Sequence, residues 1–157
     1  MDNRRRRPQR HHSDHEMDKI DTLLIDIQKK LTDSIESLAV ENLNAYERKR
    51  IHSFFDRKEA YETKTYRDGE AYILKVIPVG NLKRLAEKSA REAMETGESI
   101  FLENLGNYER FVIHNHLQSH ESIETISTGE GSERKLEIRP NQFGRSLKKI
   151  IKKIRLF

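Results

Sequence analysis

The sequence predicts an α+β fold: two tandem small modules, each a three-stranded sheet packed by two helices, followed by a basic C-terminal helix. Three observations carry this expectation. The stretch Glu41-Asn-Leu-Asn-Ala-Tyr-Glu-Arg-Lys-Arg-Ile-His52 returns 62 residues later as Glu103-Asn-Leu-Gly-Asn-Tyr-Glu-Arg-Phe-Val-Ile-His114. Outside that block Glu36, Ser37, Glu59, Glu62, Thr63, Gly69, Leu74 and Pro78 recur at the same offset, without a gap. A long period used only twice reads as a duplicated small domain, since solenoids use shorter units and more of them. Each copy also passes from helical periodicity to short β-patterned runs closed by glycine turns. Finally, a chain of 157 residues, 34% hydrophobic and 36% charged, holds one ordinary domain or two small ones. Modules of about 60 residues sit near the lower size limit for independent stability, so the two are expected to lean on each other.

Residues 1–16 carry five arginines and almost nothing apolar, and are expected to form a disordered basic, His-rich arm. Arg4 to Arg7 either hold phosphates loosely or only keep the chain soluble. His11, His12 and His15 have no cysteine or supporting shell beside them, and no metal site is expected there. The first module is placed at residues 17–78. Ile20, Leu23, Leu24, Ile27 and Leu31 make a helical stripe over 17–32, and a short strand follows over 36–41. A helix over 44–57 comes next. Tyr61, Thr63, Thr65 and then Tyr72, Leu74, Val76 read as paired strands joined at Arg67-Asp68-Gly69-Glu70, where Asp-Gly is a hairpin signal.

The second module, residues 79–140, follows at once, because Pro78-Val-Gly-Asn81 is too short for a flexible linker. It repeats the order: a helix over 82–95 stopped by Gly97, a strand over 98–103, a helix over 106–119, and strands over 121–128 and 133–139 around Gly129-Glu130-Gly131. Over residues 141–157, Phe143, Leu147, Ile150, Ile151 and Ile154 recur at helical spacing with Lys148, Lys149, Lys152, Lys153 and Arg155 on the other faces. This predicts a basic amphipathic helix, with Lys148, Lys149, Lys152 and Lys153 expected to add binding charge for nucleic acid. Formal charge is uneven: residues 139–157 hold seven Lys/Arg and no acid, whereas the body between the two ends is acidic.

The repeated block has a physical reading. Asn44 and Gly106 are acceptable N-caps, with Glu47 and Glu109 three places on, as a capping box requires. Ile51 and Phe55, like Ile113 and Leu117, mark the buried side of the helix so started. Arg48 and His52 stand i, i+4 and are neighbours on one face, as are Arg110 and His114. From the residues alone two readings are open. In one, the arginine forks to a phosphate and the histidine meets a phosphate or base. In the other, Arg48 pairs with a carboxylate and His52 with a backbone carbonyl, tying helix to sheet.

Arg-x-x-x-His on a capped helix, after a short strand and before a hairpin, resembles the R-three-H domain, over about residues 17–140. The Asn-Ala-Tyr-Glu-Arg run, and turns similar to a Glu-Gly-Glu turn, resemble the C-terminal domain of the bacterial Jag (SpoIIIJ-associated) proteins. The resemblance implies binding of single-stranded nucleic acid, RNA rather than DNA, centred on Arg48 and His52. Lys49, Arg50, Lys64 and Arg67 would add charge, and Tyr46, Tyr66 or Tyr72 would stack bases. The Gly-x-x-Gly loop of the companion KH domain of Jag proteins is absent from this sequence.

The second copy departs from the first where binding needs charge. Lys49 and Arg50 become Phe111 and Val112, Lys64 becomes Ile126, and Arg67 becomes Gly129. Arg110 and His114 keep the signature, yet the first module is expected to do most of the binding, with Phe111 turned toward it. His116 and His120 share a zinc-capable i, i+4 spacing without evident further ligands, so no metal is expected. No phosphate-binding loop, nucleophile elbow or His-Glu-x-x-His is present, so no enzyme, catalytic residue or cofactor is expected. The lack of cysteine suits a reducing cytoplasm, and neither a secretory signal nor a membrane span is read. The rival reading makes the chain a protein-interaction or membrane-surface adaptor acting through its C-terminal helix.

Overall fold

The computed structural model describes residues 14–141. Helix α1 (Asp14–Leu31) opens three residues ahead of the expected start. It is followed by β1 (Leu38–Val40), α2 (Ala45–Phe55), β2 (Glu62–Asp68) and β3 (Ala71–Ile77). The order then recurs as α3 (Val79–Thr96), β4 (Ile100–Leu102), α4 (Asn107–Leu117), β5 (Ile123–Thr128) and β6 (Lys135–Pro140), with a 3-10 turn at Gly131–Glu133. The strands form two three-stranded antiparallel sheets, ordered β1-β3-β2 and β4-β6-β5, so the last strand of each half is central. No helix among the described residues is long and apolar enough to cross a membrane.

The hydrophobic stripes fold as their spacing demands. Ile20, Leu24, Ile27 and Leu31 of α1 are buried against Ile51 and Phe55 of α2 and Leu74 and Val76 of β3, with Leu23 at the rim. The second core joins Leu82, Ala86, Ala90 and Ala93 of α3 to Ile113, Leu117, Leu136 and Ile138, and it takes in Ile77 and Val79 from the joint. The alanines let α3 lie close on α4 and β6. Gly97 ends α3 in the left-handed conformation (φ +77°), where only a residue without Cβ is unstrained.

Two details of the local chemistry differ from the sequence reading. The first hairpin turns at Gly69-Glu70, not at Asp68-Gly69, because Asp68 still pairs with Ala71 as the last residue of β2. Gly69 takes φ +60° at the first turn position, which a II′ turn reserves for glycine. Asn42 (φ +57°) and Asn104 (φ +56°) also lie in the left-handed region, at matched positions two residues before each N-cap. Asparagine tolerates that conformation better than most residues, which accounts for its recurrence there.

The halves abut. Gly80 N donates to Ala60 O (2.9 Å), and a Cβ at residue 80 would stand 3.1 Å from Ala60 Cα. The Asn81 amide donates to the carbonyls of Leu31, Thr32 and Ser34 at 2.6–3.1 Å, satisfying the open C-terminal end of α1 from the first turn of α3. Tyr108 of α4 donates its hydroxyl to Glu62 of β2 (2.6 Å), and Lys64 Nζ sits 3.3 Å from the centre of the Tyr108 ring. Burial, then the Glu62 hydrogen bond and its charge, hold the Tyr108 hydroxyl well above the ordinary tyrosine range.

Candidate nucleic-acid interface

Helix α2 begins in a complete capping box: Asn44 Oδ1 accepts from Glu47 N (2.9 Å) and Glu47 Oε2 accepts from Asn44 N (2.8 Å). That fixes the first turn, from which Arg48 donates Nη1 to Leu43 O (2.6 Å). Its guanidinium carbon lies 4.7 Å from the centre of the Tyr72 ring, which is 44% exposed. One turn on, His52 Nδ1 is 2.5 Å from Thr63 Oγ1 and Nε2 is 2.9 Å from Thr65 Oγ1. Thr63 gives its single hydroxyl proton to Asp56 Oδ1 (2.8 Å). It must therefore accept from His52, which assigns the proton to Nδ1 and leaves Nε2 to accept from Thr65. Both ring nitrogens are thus engaged with the sheet. Arg48 meets a carbonyl and a ring rather than a carboxylate, and His52 meets hydroxyls rather than a carbonyl.

Strand alternation decides which cations join this cluster. Thr63, Thr65 and Arg67 pair with Val76, Leu74 and Tyr72 and share the face toward the helices. Arg67 donates to Gly69 O (2.9 Å) and is exposed beside Tyr72. Lys49 is exposed on α2. Lys64 and Tyr66 pair with Lys75 and Ile73 on the opposite face, where Lys75 Nζ lies 5.5 Å from the Tyr66 ring centre. Arg50, about 200° around the helix from Arg48, turns to Asp21 Oδ1 at 3.3 Å. Tyr46 is half-buried. The structure therefore gathers Arg48, His52, Arg67 and Tyr72, leaves Lys49 exposed one residue along α2 from Arg48, and places Arg50, Lys64 and Tyr66 elsewhere.

In the second half the same two residues sit in a different setting. A Cβ at Gly106 would collide with Glu109 Oε2, so the carboxylate packs over the bare glycine, whereas in the first half Asn44 exchanges two hydrogen bonds with Glu47. Arg110 is 7% exposed and donates to Leu105 O and Asn107 Oδ1. His114 is exposed and, among the described residues, engages only Nδ1, with Thr125 Oγ1. Phe111 shares a hollow with Glu62 of the first half and with Tyr108. It is 56% exposed and tilts against Tyr108 (centroids 5.7 Å), and Tyr108 makes the hydrogen bond to Glu62. His116 is drawn to Glu87 Oε1 (2.8 Å).

The sequence reading missed Arg134. It stands 62 residues after Tyr72, so the repeat itself pointed to it, and with Arg110, His114, Asn107, Phe111 and Ser127 it lines a hollow of about 360 Å³. Lys148, Lys149, Lys152 and Lys153, with the helix expected to carry them, lie outside the described residues, as do Arg4 to Arg7.

Comparison with known proteins bears chiefly on the second half of the chain. Residues 80–140, the second half, match the R-three-H domain family. The chain is also 42% identical over 53 residues to the RNA-binding protein KhpB of Lactiplantibacillus plantarum, a stretch that covers 34% of this chain and 16% of that protein.

Proposed function

We propose that this chain binds single-stranded nucleic acid, RNA in preference to DNA, and catalyses no reaction. In this reading both halves are R-three-H-like modules, at residues 17–78 and 79–140, and each meets the strand with its Arg-x-x-x-His face. The match of residues 80–140 to the R-three-H domain supports the class of ligand, and the name of the similar KhpB protein supports RNA. The observation that carries the reading is the Arg48–Tyr72 pair, an exposed ring backed by a guanidinium and flanked by exposed Lys49 and Arg67. A ring so placed stacks any base, while cations beside it take the backbone phosphates. The first half supplies this stacking surface, although only two of the four cations expected around Arg48 remain there.

Titration of a labelled single-stranded RNA at two salt concentrations tests it. Contact with about five phosphates gives a slope of log affinity on log salt of roughly −3 to −4. A flat salt response would remove the electrostatic part of the proposal. Equal affinity for a duplex of the same sequence would remove the single-strand part.

A further inference from the structure

We infer that the groove between α1 and α2 of the first half docks an acidic amphipathic helix of a partner protein. The helix sets its apolar side on Ile25 and Phe54 and its carboxylates on Arg57 and Lys58. Arg50, about 200° around α2 from Arg48, lines the groove, which therefore lies away from the Arg48–Tyr72 surface. The inference stands whether or not that surface binds nucleic acid.

The apolar residues of the groove are more than the fold requires. It encloses about 690 Å³, with Leu24 buried at its floor and Ile25 65% exposed on its wall. Phe54 lies opposite, half-buried and edge-on to Phe55 (centroids 5.0 Å). At the matched positions of the second half stand Glu87 and His116, whose side chains bridge α3 to α4 at 2.8 Å. Leu24 and Gln28 stand where the second half has Ala86 and Ala90, and α1 meets α2 over a shorter seam than α3 meets α4. One copy thus closes the seam with a polar pair that suits water. The other leaves a branched aliphatic side chain in solvent beside an aromatic ring, the kind of surface that a partner covers.

Charge decides the kind of partner. Arg57 is exposed and forms no ion pair among the described residues, while Lys58 donates to the neutral amide oxygen of Gln28 at 2.7 Å. Asp21, the acid on the rim, is held by Arg50 at 3.3 Å. Ser119 and His120 occupy the matching positions in the second half, so the two cations belong to this groove and not to the fold. Carboxylates of a bound segment give them charge-assisted partners. Both ends of this chain carry an excess of Lys/Arg, which such a rim repels. RNA is the poorer fit, because Ile25 offers no stacking plane and Lys58 Nζ lies 4.0 Å from the centre of the Phe54 ring. A helix laid along two helices brings apolar anchors one turn apart with acids beside them, which matches both features at once.

The probe is a synthetic helical peptide with Leu and Ile on one side and Glu on the other, titrated into the whole chain with backbone amide shifts recorded. Shifts centred on Ile25, Phe54 and Arg57 are expected. A peptide with the same apolar side and Lys in place of Glu should bind about tenfold more weakly. Ile25→Glu changes an exposed residue, and should weaken the acidic peptide about tenfold with the melting temperature unchanged. The double change Ile25→Glu, Phe54→His installs the second half's own pair and should abolish binding. Arg57→Ala should weaken binding and reduce its dependence on salt. Phe101→Ser removes a half-exposed ring from the second sheet and should change nothing. Single-stranded RNA should bind the wild-type chain and Ile25→Glu alike.

No shifts at Ile25 and Phe54 with millimolar acidic peptide overturns the inference, as does equal affinity for the acidic and basic peptides, or for wild type and Ile25→Glu. A loss of RNA or anionic-vesicle binding in Ile25→Glu as large as the loss of peptide binding assigns the groove to that ligand and also overturns it. So does a wild-type dimer that Ile25→Glu dissociates in sedimentation, since a second copy is then the occupant.

Discussion

In the first half Arg48 lies over an exposed tyrosine and His52 spends both ring nitrogens on threonines. In the second, Arg110 is buried in contact with two neutral oxygens and His114 keeps one nitrogen open toward an exposed arginine. Identical residues at identical helix positions thus end in opposite states of commitment. The difference comes from their neighbours: Tyr72 against Arg134, Thr65 against Ser127, Asn44 against Gly106. A signature of two residues fixes where the side chains start. What they can bind depends on the sheet opposite and on the cap below.

The largest expected difference between the halves is in stability. Arg110→Ala removes two hydrogen bonds from a buried guanidinium, strands the Leu105 carbonyl and opens a gap in the wall of the second core. A loss of about 2–3 kcal/mol is expected. Arg48→Ala removes the hydrogen bond to Leu43 O from a half-buried position, and about 1 kcal/mol is expected. Thermal melts of the two variants check this. Equal shifts in melting temperature would mean that burial does not separate the two arginines.

Binding should show the opposite order for the residues facing them. Tyr72→Ala removes the exposed ring, and a loss of about 1–3 kcal/mol in single-strand affinity is expected with little change in melting temperature. Tyr72→Phe should retain most of the affinity, because the ring face and not the hydroxyl does the stacking. A large loss in Tyr72→Phe would point to a hydrogen bond and against a platform.

Much of this was legible in the sequence. The stripe from Ile20 to Leu31, the pairs Ile51/Phe55 and Ile113/Leu117, the capping box at Asn44 and the antiparallel hairpins all follow from periodicity and cap chemistry. The grouping of cations around Arg48 was less legible, because it took proximity in sequence for proximity in space. Alternation along β2 puts Lys64 and Tyr66 on the face away from Arg48, and helical geometry sends Arg50 toward Asp21. Arg134 was visible at the repeat offset, but the comparison of the copies followed the cations of the first half, and the position matching Arg134 there is Tyr72. The Tyr108–Glu62 contact had no sequence signal, since it depends on how one half docks on the other. In the second copy the carboxylate matching Glu62 is Glu124, and it pairs with Arg139. The residue matching Arg139 in the first half is Ile77, which leaves Glu62 without that partner and open to Tyr108.

That joint sets the next prediction. Tyr108→Phe keeps the ring under Lys64 and removes the hydroxyl that donates to Glu62, with an expected loss of about 1 kcal/mol near neutral pH. The sign with pH follows from the raised pKa of Tyr108. The contribution is present below the unfolded tyrosine value of about 10 and is lost as pH rises toward the folded value, because the unfolded chain gives up the proton first. Wild-type and Tyr108→Phe stabilities, measured by denaturant titration, should therefore converge above about pH 10. A gap that widens there would assign the stabilisation to a charged tyrosinate.

The smallest effects test the sidedness of the first half directly. Lys49 and Lys64 carry the same charge, and the sequence offers no reason to rank them. In the fold, Lys49 is exposed on α2 beside Arg48, whereas Lys64 lies across the sheet on the Tyr108 ring. A strand held on the Arg48–Tyr72 surface passes Lys49 and does not reach Lys64. Lys49→Ala should therefore cost a few tenths to about 1 kcal/mol of affinity and lower the salt slope by about one, with no change in melting temperature. Lys64→Ala should leave the slope unchanged and instead lower stability by about 0.5–1 kcal/mol, the value of an exposed cation–π contact. The two variants thus separate along different axes, one in binding and one in melting. If Lys64→Ala lowers the salt slope as much as Lys49→Ala, the strand lies across the joint between the halves, and Tyr108 is part of its path.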